Sequence, residues 1–194
     1  MGRFDDNPMR MDIEEAALLA GLDFLINVLV NEKNETCAVF AGALKPTYAA
    51  AVQKAKAHYL TPVVPGKDIV IANACAKSNE AFLALNIAYR SVNRQGGDVV
   101  LLANAPEGRV THYLLGAFGT APPGSDRSGQ QLPGHVKRLI VFTEYPDIAA
   151  HGWFPDGSVQ YAHEWEDVIR VLEQNHPGEA NVAIYPIADI QYCQ

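Results

Sequence analysis

Polar side chains crowd the short segment "IANACAKSNEAF", residues 71–82, which follows an apolar run and precedes a helical pattern. An ammonium at Lys77, together with free backbone N–H groups, could hold a carboxylate, and a carboxylate at Glu80 could take part in proton transfer. We therefore name Lys77 and Glu80 as candidate catalytic residues. The candidate substrate-binding residues of this segment are Asn73, Ser78 and Asn79.

A second polar segment, "LLANAPEGRVTHY", covers residues 101–113 and contains Asn104, Glu107 and His112. Both segments follow buried-type strands of a predicted parallel sheet, so both leave the sheet at its carboxyl edge. Ligands of open α/β sheets bind at that edge, because loops meet there and helix N-termini present free N–H groups. We expect Asn104 and His112 to add substrate contacts to the same cleft.

A purely structural explanation covers the same residues. Ser78 or Asn79 could cap the helix, and Glu80 in its first turn would interact favourably with the helix dipole. Asn73 and Asn104 could make turns, and Lys77 could simply be solvated. Both explanations remain open at this point.

The pattern of the N-terminal part predicts a helix, a β-hairpin and a second helix. Acidic residues and a following Gly21 favour a helix over Asp12–Ala20. Two apolar runs joined by a polar segment predict the hairpin, Phe24–Val30 with Thr36–Phe40. Pro46 and a run of good helix formers predict a helix over Thr47–Tyr59.

Strands and helices alternate in the remainder of the chain. "KDIVIANA", "NEAFLALNIAYRSV" and "DVVLLANA" read as a βαβ unit with parallel strands. "VKRLIVFTE", "HEWEDVIRVLEQN" and "NVAIYPI" continue as strand, helix and strand. We predict an α/β fold, a mainly parallel, Rossmann-like sheet with helices on both faces, preceded by the helix and hairpin.

Composition limits the classes of function. The chain has 194 residues, 48% of them hydrophobic, which suits one soluble domain or one domain with an appendage. A net charge of −7 and a pI near 5.3 argue against a nucleic-acid partner. Three cysteines without a CxxC pair favour a reducing, cytoplasmic location, and no apolar run is long enough to span a membrane.

Several signatures of known chemistry are absent from the sequence. It contains no GxGxxG after a strand, no GxxxxGK[ST] and no GxSxG. The six histidines form no HxH or HxxxH pair, so we expect no metal ligands in this chain. The Pro- and Gly-rich stretch at residues 119–134 is too long for an ordinary connection and is either a lid or disordered.

Four segments resemble a known family, the nickel-pincer lactate racemases. "GRFDDNPMRMDIEEAALLAGLDFLINVLVNEKNETCAVFAG" is similar to a segment of that family, and the block from Asn7 to Asn27 is the specific part. "DIVIANA", "RQGGDVVLLANAPEG" and "HYLLGAFG" are similar to segments of the family's C-terminal domain. The resemblance extends over nearly the whole chain.

The resemblance implies an isomerase that racemises or epimerises a 2-hydroxy acid by hydride transfer to a nickel-pincer nucleotide. Family members are about twice as long, and their pincer-bearing lysine and nickel-ligating histidine precede the Asn-Pro block. We therefore expect this chain to be a C-terminal portion that is inactive and free of nickel by itself. Residues 1–45 would bridge to a missing N-terminal domain, and residues 46–194 would form the C-terminal α/β domain.

One departure concerns the substrate. Lactate racemases carry a Gln-x-x-Lys pair before the Gly-Gly, where this sequence has Ala81 and Ala84. Lys77 and Glu80, one turn earlier, are the residues that could replace that pair, which would suit a different hydroxy acid or a sugar acid. The alternative function is a non-catalytic ligand-binding or assembly domain with the same fold.

Overall fold

The computed structural model describes residue 4 and residues 6–106, 131–145 and 159–193. The helices in chain order are α1 (Pro8–Leu19), α2 (Leu44–His58), the short 3-10 helix Ser78–Ala84, α3 (Leu85–Ser91) and α4 (Trp165–Asn175). The strands are β1 (Leu25–Val30), β2 (Thr36–Gly42), β3 (Leu60–Thr61), β4 (Ile69–Asn73), β5 (Gly97–Leu102), β6 (Val136–Phe142), β7 (Val159–Ala162), β8 (Val182–Tyr185) and β9 (Tyr192–Cys193).

The chain forms two compact units. The first unit extends to Pro62 and takes in the segment from Gln191 onward, and the second is Val63–Ile190. The helix α2 packs against both strands of the hairpin and belongs to the first unit. The division into a bridging segment, residues 1–45, and a C-terminal domain, residues 46–194, stays a prediction.

The first unit begins with α1 and the antiparallel pair β1 and β2. The side chain of Asn7 accepts the backbone N–H of Arg10 at 3.4 Å, and Pro8 occupies the first turn, so α1 begins before the predicted Asp12. Leu25 pairs with Gly42 at the open end of the hairpin. At its turn the Asn31 side chain accepts two backbone N–H groups, from Lys33 and Glu35, each at 2.9 Å.

The second unit is built on a five-stranded sheet in the order β7-β6-β5-β4-β8, with every neighbouring pair parallel. The prediction of an α/β fold with a parallel sheet is confirmed. The edge strand β7 was not predicted, because its four residues "VQYA" give too short an alternation to stand out. The short parallel pair of β3 with β9, in the first unit, was also missed.

Helices cover the sheet on both faces. Ile69, Val100 and Ile140 occupy one face of β4, β5 and β6 and pack with Val168 and Leu172 of α4. The alternate positions on those strands are buried as well, and α3 packs against β4 and β5. The chain moves across the sheet in one direction from β4 to β7 and returns after α4 to place β8 beside β4. Because crossovers between parallel strands are right-handed as a rule, this change of direction puts α3 and α4 on opposite faces.

The segment after β4 differs from the predicted helix. It forms a 3-10 helix over Ser78–Ala84 before α3 begins, and Glu80 within it has the non-helical angles φ −123° and ψ 40°. Lys77 and Ala84 occupy the cap positions of these two helices, and neither makes a capping hydrogen bond through its side chain. Ser78, one of the two alternative caps, is the first residue of the 3-10 helix and does not occupy its cap position.

Charged groups close the amino edge of the sheet. The Asp98 carboxylate is fully buried and accepts hydrogen bonds from Arg138 Nε at 2.9 Å and from His176 Nε2 at 3.0 Å. The Asp68 carboxylate accepts the backbone N–H of Asn181 at 2.8 Å. These bonds tie β4, β5, β6 and the end of α4 together at the edge opposite to the polar loops.

Gly97 opens β5 at a point where no side chain fits. A Cβ there would lie 2.6 Å from Val92 Cγ2 and 2.7 Å from the backbone oxygen of Asp68. We predict that Gly97→Ala lowers the free energy of unfolding by about 1–3 kcal/mol, as overpacking does in other cores. Urea denaturation measures this change.

The matched control for that measurement is Gly178→Ala, because a Cβ at Gly178 meets no atom within 4 Å. A change of less than about 0.5 kcal/mol is expected there, as for ordinary surface substitutions. Equal effects of the two substitutions would show that the crowding at Gly97 is relieved without cost.

Candidate functional site

The order of the strands creates a switch point at β4. The chain runs from β4 outward through β5, β6 and β7, and then returns to place β8 on the other side of β4. In open α/β sheets the crevice at such a point, beyond the carboxyl ends of the strands, is the usual ligand site. The loops that follow β4 and β8 both begin there.

Three hydrogen bonds join these two loops. The backbone N–H of Ala188 donates to the backbone oxygen of Asn73 at 2.8 Å. The Cys75 thiol donates to the backbone oxygen of Pro186 at 3.5 Å. The backbone N–H of Lys77 donates to Asp189 Oδ2. The segment that carries the candidate residues is thus held by the loop after β8, which sequence patterns had not linked to it.

The two candidate catalytic residues form an ion pair. Lys77 Nζ donates to Glu80 Oε2 at 2.6 Å, and the Glu80 backbone N–H donates to the Lys77 backbone oxygen at 2.8 Å. The Lys77 side chain is 50% exposed and that of Glu80 24% exposed. A pair this exposed adds about 0–1 kcal/mol to stability, so its ammonium can be shared with an acidic ligand at little cost to the fold.

Asp189 is the residue that the sequence analysis missed. Only 5% of it is exposed, and its Oδ1 has no hydrogen-bond partner among the residues that the structure describes. Burial raises the pKa of this carboxyl above the ordinary value of 3.8, although the Lys77 backbone N–H acts in the opposite direction. The only sequence signal was an isolated acid soon after the last predicted strand.

The remaining candidates of the first loop have separate positions. Asn73 is the last residue of β4 and lies on the face of the sheet that α4 covers, as its pairing with Leu102 shows. Ser78 opens the 3-10 helix and is half-buried. The side chain of Asn79 lies outside the described part of the chain.

Asn104 lies at the same edge but turns toward β6. Its side-chain amide donates to Glu144 Oε2 at 3.0 Å, and its Oδ1 accepts the Glu144 backbone N–H at 2.9 Å. The bonds of Asn104 therefore join the ends of β5 and β6 and do not join it to Lys77. Glu107 and His112 lie outside the described residues, as do residues 119–130 of the Pro- and Gly-rich stretch.

Another polar contact closes the ends of β6 and β7. A ring nitrogen of His163, Nδ1, lies 2.7 Å from the backbone oxygen of Thr143, and Thr143 is itself buried. The sequence patterns gave no reason to expect His163 at this edge, because they did not predict β7 as a strand. Polar groups thus follow each of the strands β4, β5, β6, β7 and β8.

The described residues do not fit a nickel centre. They include no group of three or more His, Cys, Asp or Glu side chains that could hold a metal ion. The chemistry available at this edge is the binding of an anion by an ammonium and the exchange of a proton with a carboxyl group.

The doubly wound sheet and its polar carboxyl edge define an α/β domain of the Rossmann-like class. Among solved structures the chain is similar to the lactate racemase apoprotein from Thermoanaerobacterium thermosaccharolyticum, with a TM-score of 0.67 and 14% sequence identity. The match covers 97% of this chain and 50% of that one, so the chain spans about half the length of the racemase. No family model and no curated protein sequence matches.

This likeness shows a shared fold. The shared fold is that of a lactate racemase, the kind of protein that the sequence resembles, and it covers nearly every part of the chain. At 14% identity it carries no residue roles, so the functions of Lys77, Glu80 and their neighbours remain proposals.

The raised pKa of Asp189 makes a prediction about pH. Because the folded protein holds this proton more tightly than the unfolded chain, the unfolded chain ionises first as the pH rises above about 3.8. The native state therefore loses stability through the window from that value up to the folded pKa. We expect Asp189→Asn to gain stability relative to the wild type across this window, measured by urea denaturation at a series of pH values.

Asp68→Asn provides a control of opposite sign. The backbone N–H of Asn181 lowers the pKa of Asp68, so its contribution to stability is present above about 3.8 and is lost as the pH falls through its folded pKa. A pH profile of Asp189→Asn parallel to that of the wild type would contradict the raised pKa.

Proposed function

We propose that this chain is the C-terminal portion of a lactate racemase-like enzyme that racemises or epimerises a 2-hydroxy acid. The observation that carries the proposal is the fold shared with the racemase apoprotein over 97% of the chain. The polar carboxyl edge at the switch point supports it, because that is where an α/β domain of this class presents its ligand groups.

In this proposal Lys77 binds the carboxylate of the substrate. Its ammonium is exposed at the edge, and Glu80 holds it in place through the 2.6 Å ion pair. An ammonium that meets a carboxylate makes a charge-assisted hydrogen bond, stronger than a neutral one. Glu80 is the carboxylate available for proton exchange. The hydrogen-bonding groups around the substrate would be Asn73, Ser78, Asn79, Asn104 and His112.

The departure from the family at Ala81 and Ala84 bears on the identity of the substrate. Both alanines have no exposed surface, so polar side chains at these two positions would enter the core here. Any polar contact to substrate from this segment has to come from Lys77 and Glu80, earlier in the chain. We infer a substrate other than lactate, such as a longer hydroxy acid or a sugar acid.

The cofactor would be held elsewhere. The resemblance implies a nickel-pincer nucleotide, which would supply hydride-transfer chemistry, and the described residues offer no site for it. We propose that a cofactor-binding domain, equivalent to the half of the racemase outside the match, carries it. This chain would bind and orient the hydroxy acid and supply groups for proton exchange.

The first unit carries surface suited to that partner domain. α1 has no buried residue, and its Met9, Met11 and Leu19 are each more than 60% exposed. On the hairpin Ile26, and Val28 with its cross-strand partner Val39, are exposed as well. Apolar surface of this kind marks an interaction site, and the cofactor-binding domain is the partner we propose for it.

Two further properties belong to the proposal. A net charge of −7 disfavours nucleic acid as a partner, and three cysteines without a CxxC pair, at positions 37, 75 and 193, suit the cytoplasm. In the described part of the chain, no helix has the length and apolar character needed to cross a membrane.

A non-catalytic ligand-binding or assembly domain is the rival proposal. An apolar carboxyl edge would favour it. The described residues instead place an exposed ion pair and a buried carboxyl at the switch point, which supports the enzyme.

The test is a substitution of Lys77 in the protein joined with its cofactor-binding domain and loaded with nickel. Lys77→Ala removes a charge-assisted contact worth roughly 1.5–3 kcal/mol, so we expect kcat/KM for the true hydroxy acid to fall about ten- to a hundredfold. The exposed ion pair predicts a stability change of no more than about 1 kcal/mol. Racemisation or epimerisation kinetics and thermal unfolding measure the two effects.

Lys33→Ala is the matched control, since Lys33 is an exposed lysine of the hairpin turn. It should leave both kinetics and stability unchanged. Unaltered kcat/KM in Lys77→Ala would remove Lys77 from the site and favour the rival proposal.

A second prediction concerns the metal. Because the described residues contain no suitable cluster of ligands, the 194-residue chain purified by itself should contain far less than one nickel per chain. Elemental analysis after gel filtration measures this, with zinc as the internal comparison. About one nickel per chain would mean that this half holds the cofactor after all.

A further inference from the structure

A crevice of about 380 Å³ opens within the first unit. It is lined by residues of α1, residues of α2 and the segment that leads into α1. Its volume falls in the range of roughly 300–1,000 Å³ that small-molecule sites occupy. It contains none of the residues assigned above to the hydroxy acid.

Arg10 is fixed in one wall of this crevice. Its Nε donates to Glu14 Oε1 at 3.0 Å, and its guanidinium carbon lies 3.7 Å from the centroid of the Tyr48 ring. Its Nη2 is buried and has no hydrogen-bond partner among the described residues. A buried charged donor without an acceptor is costly, and a guanidinium held by packing on one side is prepared to bind an anion on the other.

Basic side chains outnumber acidic ones in the lining of the crevice, although the chain as a whole is acidic. Lys45 and Lys56 line it together with Arg10, and Asp6 and Glu14 are the acids in the lining. Glu14 already pairs with Arg10 Nε. Lys56 Nζ lies 4.8 Å from the Phe4 ring. The whole chain has a net charge of −7, whereas three cations line this one crevice. The crevice is therefore locally more positive than the chain as a whole.

We propose that this crevice binds a small acid through its carboxylate or phosphate group. The Arg10 side chain, which is 22% exposed, would donate to one oxygen of the anion, and Lys45 and Lys56 would balance its charge. The positive end of the α1 dipole, at Pro8, adds to the attraction. The rings of Tyr48 and Phe4 would form the apolar walls that contact the rest of the bound acid. The proposal is independent of the hydroxy-acid site in the second unit.

The test titrates the ¹⁵N-labelled 194-residue chain with inorganic phosphate, and separately with succinate, at constant ionic strength. We expect saturable chemical-shift changes in α1 and α2 with at least one of the two probes. Arg10→Gln should weaken that binding at least tenfold. Arg94→Gln, which removes an equal charge from an exposed position in the second unit, should leave it unchanged.

The choice of probe identifies the ligand class, since binding of phosphate alone indicates a phosphate group and binding of succinate indicates a carboxylate. Lys45→Gln serves as a second variant if Arg10→Gln fails to fold, and it should weaken binding several-fold. No saturable change with either probe, or equal affinities in the wild type and in a folded Arg10→Gln or Lys45→Gln variant, would overturn the proposal.

Discussion

The structure of the second unit depends on the pairing of β4 on both of its sides. β4 lies between β5, which follows it in the chain, and β8, which comes last. Each pair is parallel, so the carboxyl ends of the three strands lie at one edge of the sheet. The connection after β4 leads to one side of it, toward β5, and the last connection returns to its other side, to β8. The helices on the two faces, the switch point and the meeting of the two polar loops all follow from this arrangement.

The two edges of the sheet use charge in different ways. At the amino edge Oδ2 of the buried Asp98 carboxylate is bonded by the side chains of Arg138 and His176, and its Oδ1 has no partner among the described residues. At the carboxyl edge Asp189 Oδ2 accepts the backbone N–H of Lys77, its Oδ1 likewise has no partner among the described residues, and burial raises the pKa of this carboxyl. A carboxyl with a raised pKa at an edge where ligands bind is typical of functional sites.

The sequence could predict the elements whose own patterns are strong. The buried runs of β4, β5 and β6 and the amphipathic α4 are defined by local periodicity, so they were recognised without the fold. The four-residue β7 depends on pairing with β6 and has little signal of its own. The segment after β4 has helical composition, but the bond from Lys77 to Asp189 and the angles of Glu80 give it a 3-10 start.

The candidate site was predictable to the same extent. Lys77 and Glu80 are three residues apart, so their proximity followed from local geometry, and the structure pairs them. Asp189 is more than a hundred residues away and is brought to Lys77 by the last crossover, which no local pattern reveals. Asn104 was placed at the correct edge, but its partner Glu144 comes from a strand that enters the sheet later.

The hairpin of the first unit has a consequence for how the chain behaves in solution. β1 and β2 form a sheet of only two strands, so within the described residues each strand keeps one side without a ladder. Unpaired N–H and C=O groups next to exposed Ile26 and Val28 form a template on which another extended chain can add. Expressed without a partner to cover it, the chain would be prone to self-association that increases with its concentration.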